Sequence, residues 1–247
     1  MIGVFFVFIL FLMVFVDPAF GQATFPNVNI DLDSFANPES MGSYLTLLLS
    51  MSIITLIPFF LISTTSFLRI VIVLGMIRQA LQTNQSPPSS VIVGLAMFMT
   101  IFVMSPTFFD IYHNAVVPYQ EGKINQSKAF ELGFKPYRDF MVKFTRDKDL
   151  ALFIEFSKTK YPDDYTQIPI NILIPAFVIS ELKAAFQIGF LLFIPFLVID
   201  LVISNILLSL GMFMLSPAMV SLPFKILLFV LLDGWNLIIR GLLTSFQ

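Results

Sequence analysis

The chain of 247 residues contains no cysteine and a single histidine, His113. The first absence removes disulfides, thiolate metal sites and cysteine nucleophiles. The second leaves no multi-histidine metal centre and no histidine array for phosphoryl relay. Charge is scarce as well: 12% of residues are Asp, Glu, Lys or Arg, where an ordinary soluble domain carries about 25%. The net charge of −2 gives no basic field for nucleic acid. Neither GxxxxGK(S/T) nor GxGxxG occurs, so the common phosphate cradles are missing. What is abundant is apolar. Hydrophobic residues make up 57% of the chain, Phe alone accounts for 30 of them, and the mean hydropathy is +0.89. There is too little charge to coat soluble domains of this length. The chain reads as a membrane protein.

The positions of the few charges divide it. No basic residue precedes Arg69, and after Arg78 none follows until Lys123. Nine of the 14 basic residues then lie between Lys123 and Lys160, interleaved with nine acids from Asp110 to Asp164. Beyond them only Lys183, Lys225 and Arg240 remain. The layout is apolar, a polar insert, then apolar again.

Ile2 to Val16 is an apolar run too short for a comfortable span of about 20 residues. Ala19 and Gly21 follow it at the small positions of a signal-peptidase site. Residues 1–21 read as a secretory signal peptide cleaved after Gly21, with an uncleaved anchor as the alternative. Residues 22–40, with Asp31, Asp33 and Glu39, are then a flexible acidic mature N-terminus. Residues 41–110 read as a first helical hairpin, with helices at 44–64, kinked at Pro58, and 89–109. Its loop, 69–88, carries Arg69 and Arg78 and no acid. By the positive-inside rule these two arginines set the topology and face the loop to the cytoplasm. The segment 111–167 reads as two or three amphipathic helices on the far side, with Phe130, Phe134, Tyr137, Phe140, Met141 and Phe144 at helical spacing. Residues 168–247 form a second hairpin, its charge-free blocks 184–199 and 201–224 joined around Asn205, Gly211 and Pro217. The expected fold is all-α, with about four hydrophobic helices after removal of the signal peptide. Ionisable groups in lipid are costly unless they face protein or water, so these helices face neighbours as well as lipid.

Two segments are more specific. Pro175-Ala-Phe-Val-Ile-Ser-Glu-Leu-Lys-Ala-Ala-Phe-Gln-Ile-Gly-Phe190 resembles one signature of the FliP family of flagellar type III export proteins, and Pro223-Phe-Lys-Ile-Leu-Leu-Phe-Val-Leu-Leu-Asp-Gly-Trp235 resembles a second. Leu210-Gly-Met-Phe-Met-Leu-Ser-Pro217, Phe67-Leu-Arg-Ile-Val71 and Gln82-Thr-Asn-Gln85 are similar to the same family. The resemblance covers the chain from about residue 40 onward, together with the signal peptide. It implies an export gate in the bacterial inner membrane, at the flagellar basal body. About five copies form a right-handed helical assembly with FliR-like and FliQ-like subunits, and FlhB-like and FlhA-like export proteins dock on it. Unfolded flagellar substrates pass through its centre. The virulence injectisome homologue is the close alternative within the superfamily.

The residues fit that reading. Glu181 and Lys225 stand in apolar segments with no opposite charge at i±3 or i±4. A buried charge without a partner is heavily penalised, so the two are expected to pair with each other, between segments or between subunits. The resemblance links the matching Glu and Lys to ring assembly. Lys183, Asp200, Asp233 and Arg240 are further candidates for subunit contacts, Arg240 as a partner for either acid. Met212 and Met214, with Phe213 between them, lie beside Gly211 in an expected helix break. Methionine is unbranched and polarizable, so a ring of such side chains closes a pore and still deforms around cargo. The resemblance identifies this stretch as a methionine gasket. A secondary transporter or ion channel is the competing class, but internal repeats and convergent intramembrane acids are missing. No Ser/His, GxGD or HExxH constellation supports an enzyme, and no cofactor is implied.

Overall fold

The structure, a computed structural model, describes residues 38–83, 86–157 and 168–247. The expected signal peptide, its cleavage point and most of the acidic segment 22–40 lie outside the described residues. Every described element is a helix: α1 (Pro38–Thr64), α2 (Phe67–Ala80), α3 (Ser89–Ile111), a π-helical turn (Tyr112–Val116), α4 (Val117–Gln120), α5 (Gln126–Phe144), α6 (Asp147–Ser157), α7 (Ile170–Ser209), α8 (Pro217–Leu231) and α9 (Gly234–Thr244). The described residues divide into two compact units, one ending at Ile62 and the other running from Ser63 to Gln247. In the first, α1 exposes Leu48, Leu49, Met51, Leu56 and Phe59. Its hydroxyls turn inward, Ser52 Oγ donating to the Leu48 carbonyl at 2.8 Å and Thr55 Oγ1 to that of Met51 at 2.9 Å. Bonds of this kind satisfy a polar side chain without water, which suits an apolar surrounding.

The second unit is organised around α2. Ile70, Val73, Leu74, Ile77 and Ala80 recur at intervals of three and four, which places them on one helix face, and all are buried. That face packs chiefly against α7, and also on α3. The residues expected to form a loop from 69 are therefore helix as far as Ala80. The two arginines had marked the segment as a connection, but its period is that of a buried helix. Arg78 then closes the short turn that follows, donating to Ser89 Oγ at 3.0 Å. At the α2–α7 crossing Gly189 lies against Met76. A Cβ at Gly189 would fall 2.2 Å from the Met76 Sδ and 3.3 Å from its Cβ. A side chain at 189 would displace the end of Met76 and press on its Cβ, so glycine suits this close approach.

A second core joins α5 and α6 to the first half of α7, through Met141, Leu150, Ile154, Ile172, Leu173 and Phe177. α5 starts at Asn125, whose side chain accepts from the Lys128 amide at 2.9 Å, an N-cap. α7 runs unbroken for 40 residues with Pro175 and Pro195 inside it. Asn205 lies within this helix and marks no break. The hairpin turn comes later, over residues 210–216, where Gly211 has φ +74°, a conformation open to glycine and costly for most residues. α8 returns along α7 and bends by 64° into α9 at Asp233, itself at φ 48°. Among the described residues two helical stretches, Ser89–Gln120 and Ile170–Ser209, are long and apolar enough to cross a membrane, or up to four spans if each of two bent pairs is one.

Gly189→Val is expected to lower the unfolding temperature of the solubilised protein, because overpacking a fitted contact costs roughly 1–3 kcal/mol. Met76→Ala in the same chain should recover most of the loss. A wild-type melting curve for Gly189→Val would show that the helices do not meet there.

Candidate functional site

Three charge clusters lie within the second unit. In the first, Arg69 in the opening turn of α2 meets Glu181 of α7, with side-chain exposures of 6% and 0%. Nε donates to Glu181 Oε2 at 2.9 Å and Nη2 donates to Oε1, a bidentate fork. Nη1 donates to the carbonyl and hydroxyl oxygens of Ser245 at 2.9 and 3.0 Å. The guanidinium also lies 4.0 Å from the centre of the Phe246 ring. A planar group with five donors suits this arrangement, and an ammonium does not. Arg69 thus ties α2, α7 and the segment after α9 together. The positive-inside reading had placed this arginine at a membrane surface, yet it is buried and neutralised.

In the second cluster Asp200 of α7 accepts from three side chains. Lys225 Nζ lies at 2.7 Å, Ser221 Oγ at 2.6 Å and Gln82 Nε2 at 3.2 Å. Lys225 also donates to the Ala80 carbonyl at 3.3 Å, where the unpaired carbonyls at the buried end of α2 favour a cation. The expected pair of Glu181 with Lys225 is therefore not formed within the chain. Each has its own partner, Arg69 for Glu181 and Asp200 for Lys225. Local spacing had excluded neighbours on the same helix but carried no information on these distant ones.

In the third, buried Asp149 of α6 pairs with Lys183 and accepts from Ser180 Oγ at 2.9 Å. Ser180 in turn accepts from the Arg146 amide at 3.0 Å, so α7 supplies a side chain to the first turn of α6. Burial alone pushes the Asp149 carboxyl up, but the hydrogen bonds of Lys183 and Ser180 and the charges of Lys183 and Arg146 outweigh it. The group is held below the ordinary aspartate value.

The remaining candidates are exposed. Met212, Phe213 and Met214 occupy the turn between α7 and α8, with exposures of 45%, 76% and 100%. Asp233 precedes α9, but its side chain makes no capping hydrogen bond. Arg240 is exposed and joins none of the described ion pairs. Among the described residues no group of three acids or histidines could hold a metal. A cleft of about 640 Å³ between α3 and α5 is rimmed by Asp110, Lys135, Asp139 and Lys143.

The FliP family model matches residues 50–242. The chain belongs to the FliP family. It is 49% identical over 220 residues to the flagellar biosynthetic protein FliP of Bacillus subtilis strain 168, an alignment spanning 89% of this chain and 100% of that one. The FliP protein of Borreliella burgdorferi is 47% identical over 226 residues, 90% of this chain and 88% of its own. That of Aquifex aeolicus is 45% identical over 205 residues, 81% and 85% of the two chains. All three charge clusters and the exposed turn lie in the FliP-matched region, apart from Ser245 and Phe246.

Sequence reasoning missed Asp149, Ser180, Ser221, Gln82, Ser245 and Phe246. For Ser221 a signal was present. Ser221, Lys225 and Phe229 are spaced by four on one face of α8 and are its buried residues, so the two polar members required a polar partner across the hairpin.

Glu181→Ala is expected to destabilise the protein by about 3–5 kcal/mol in thermal or chemical unfolding, because Arg69 is left charged and buried. Arg69→Met with Glu181→Leu should recover much of that loss. If the double change were as damaging as the single, the pair would not be the cause. For Asp149 the folded pKa is depressed. Its contribution is therefore fully present above the ordinary aspartate value and is lost as pH falls below it, through the folded value. Hydrogen exchange should show α6 protected at neutral pH and opening in acid, with that acid dependence absent in Asp149→Asn.

Proposed function

We propose that the chain is a core subunit of the flagellar type III export gate. Several copies associate with FliQ-like and FliR-like subunits into a channel for unfolded flagellar proteins. Membership of the FliP family over most of the chain carries this reading, and the flagellar relatives favour it over a virulence injectisome. The chain acts as a channel subunit and not as an enzyme. In this reading the turn at 210–216 is the constriction. It presents Met212, Phe213 and Met214 unburied at the tip of a hairpin, where flexible and polarizable side chains can seal against copies of themselves and yield to cargo.

The length of α7 supports a channel that extends beyond the bilayer. Its 40 residues correspond to about 60 Å of helix, twice the hydrocarbon thickness of about 30 Å. A helix of that length cannot be covered by lipid alone without extreme tilt, and the apolar side chains along it suit neighbouring subunits. The helical insert 111–167 and the mature N-terminus lie on the periplasmic side, and the turn between α2 and α3 on the cytoplasmic side. FlhB-like and FlhA-like proteins dock on the assembled gate. Glu181 and Lys225 serve assembly by fixing the shape of each subunit, while Asp233 and Arg240 are free to reach neighbouring copies.

Co-expression with FliQ-like and FliR-like partners should yield one complex containing several copies of this chain. Met212→Ala with Met214→Ala should leave its size unchanged and raise ion flux through the closed complex severalfold in liposomes. Isolation as a lone dimer, or unchanged flux, would overturn the reading.

A further inference from the structure

The seal at the tip of a hairpin is only as well placed as the hairpin beneath it. From Leu201 to Val220, covering the end of α7, the turn and the start of α8, Leu207 is the one buried residue. Immediately before this stretch stands Asp200, and immediately after it Ser221. The buried side chains of α8 are Ser221, Lys225 and Phe229. Two of these three bind Asp200, at 2.6 and 2.7 Å. The third, Phe229, lies 6.5 Å from Phe196, ring centre to ring centre, one helical turn before Asp200 on the same face of α7. Asp200 also accepts from Gln82, just beyond α2, and Lys225 reaches the Ala80 carbonyl at the end of α2. The two limbs of the hairpin are thus joined to each other and to the end of the central helix at a single level. By helical rise, Asp200, Ser221 and Lys225 lie about 6–15 Å from the turn.

We propose that Asp200, with Lys225, Ser221 and Gln82, is the clasp that positions the gate: these residues fix the height and spacing of the hairpin limbs, and so the resting place of Met212, Phe213 and Met214. The inference rests on the export-gate reading and assigns a positioning role to residues outside the seal. Above the clasp Leu207 alone is buried, so tip displacement is confined to that segment. Below it, α7 is braced on α2, α5 and α6. Loosening the clasp lets the limbs splay, and the tip no longer meets its copies in register.

The test uses the complete complex in liposomes, with potassium flux and complex size measured together. Asp200→Asn keeps an acceptor for Ser221 and Gln82 but removes the charge that holds Lys225. It should retain assembly and raise resting flux at least as much as Met212→Ala with Met214→Ala. Because this chain has no cysteine, Asp200→Cys with Ser221→Cys gives a bond that can be made and broken at the clasp. Oxidised complex should be tight, reduction should open it severalfold, and reoxidation should close it again. A purely structural role would not follow the redox cycle in an already assembled complex. If Asp200→Asn fails to assemble, complex formed by the oxidised cysteine variant and then reduced decides the matter. Clasp variants that stay tight while the methionine variants leak would overturn the clasp and leave the gate reading standing. Methionine variants that stay tight would overturn both.

Discussion

A charge placed in an apolar helix must find its opposite, and much of this fold follows from how that demand is met. Removing either member of a buried pair costs several kcal/mol, which exceeds what one apolar contact returns. Arg69 with Glu181 joins α2 to α7 and to the segment after α9. Lys225 with Asp200 joins α8 to α7 and to the end of α2. Lys183, itself half exposed, with buried Asp149 joins α6 to α7. Each pair has one member on α7, whose three charged residues near these contacts are Glu181, Lys183 and Asp200. The long helix is the spine because it carries the groups that the others must neutralise. The aromatic cluster of Phe140, Phe144 and Phe246 then closes over Arg69, so that its charge is held by both a carboxylate and ring faces.

How much of this was legible in the sequence depended on distance along the chain. The helix at Ser89–Ile111 and the break at Gly211 follow from short-range patterns, whereas the start of the helix Pro217–Leu231 does not, because the charge-free block 201–224 runs across it. The inference that Glu181 and Lys225 each need a partner follows from such patterns as well. The identity of those partners does not, because Arg69 and Glu181 are separated by 112 positions and local periodicity says nothing at that range. Arg69 was misread for a related reason. An arginine after a long apolar run resembles a membrane-surface anchor, and only the packing of Ile70, Val73, Leu74 and Ile77 shows that the segment is interior. The exposed turn at 212–214 was legible as a break in the helix, whereas its separation from the nearest braced residue required coordinates.

Ion pairs rather than leucines occupy these positions for a reason that stability alone does not supply. A well-packed apolar replacement for a buried pair is often neutral or stabilising. Apolar contacts are, however, tolerant of register. In a hairpin whose limbs are built from Leu, Ile, Val and Phe, sliding α8 by one turn exchanges one set of apolar contacts for another of similar value. With Asp200 opposite Lys225 and Ser221 the same slip strands a lysine and a carboxylate in an apolar setting, and the alternative register is excluded. Single buried polar groups fix register in coiled coils on the same basis. A seal made of side chains as compliant as methionine adapts to whatever fills it and therefore cannot define its own position. In the proposed gate the definition has to come from a rigid, register-specific contact close by, and the acid of α7 with the lysine and serine of α8 is such a contact.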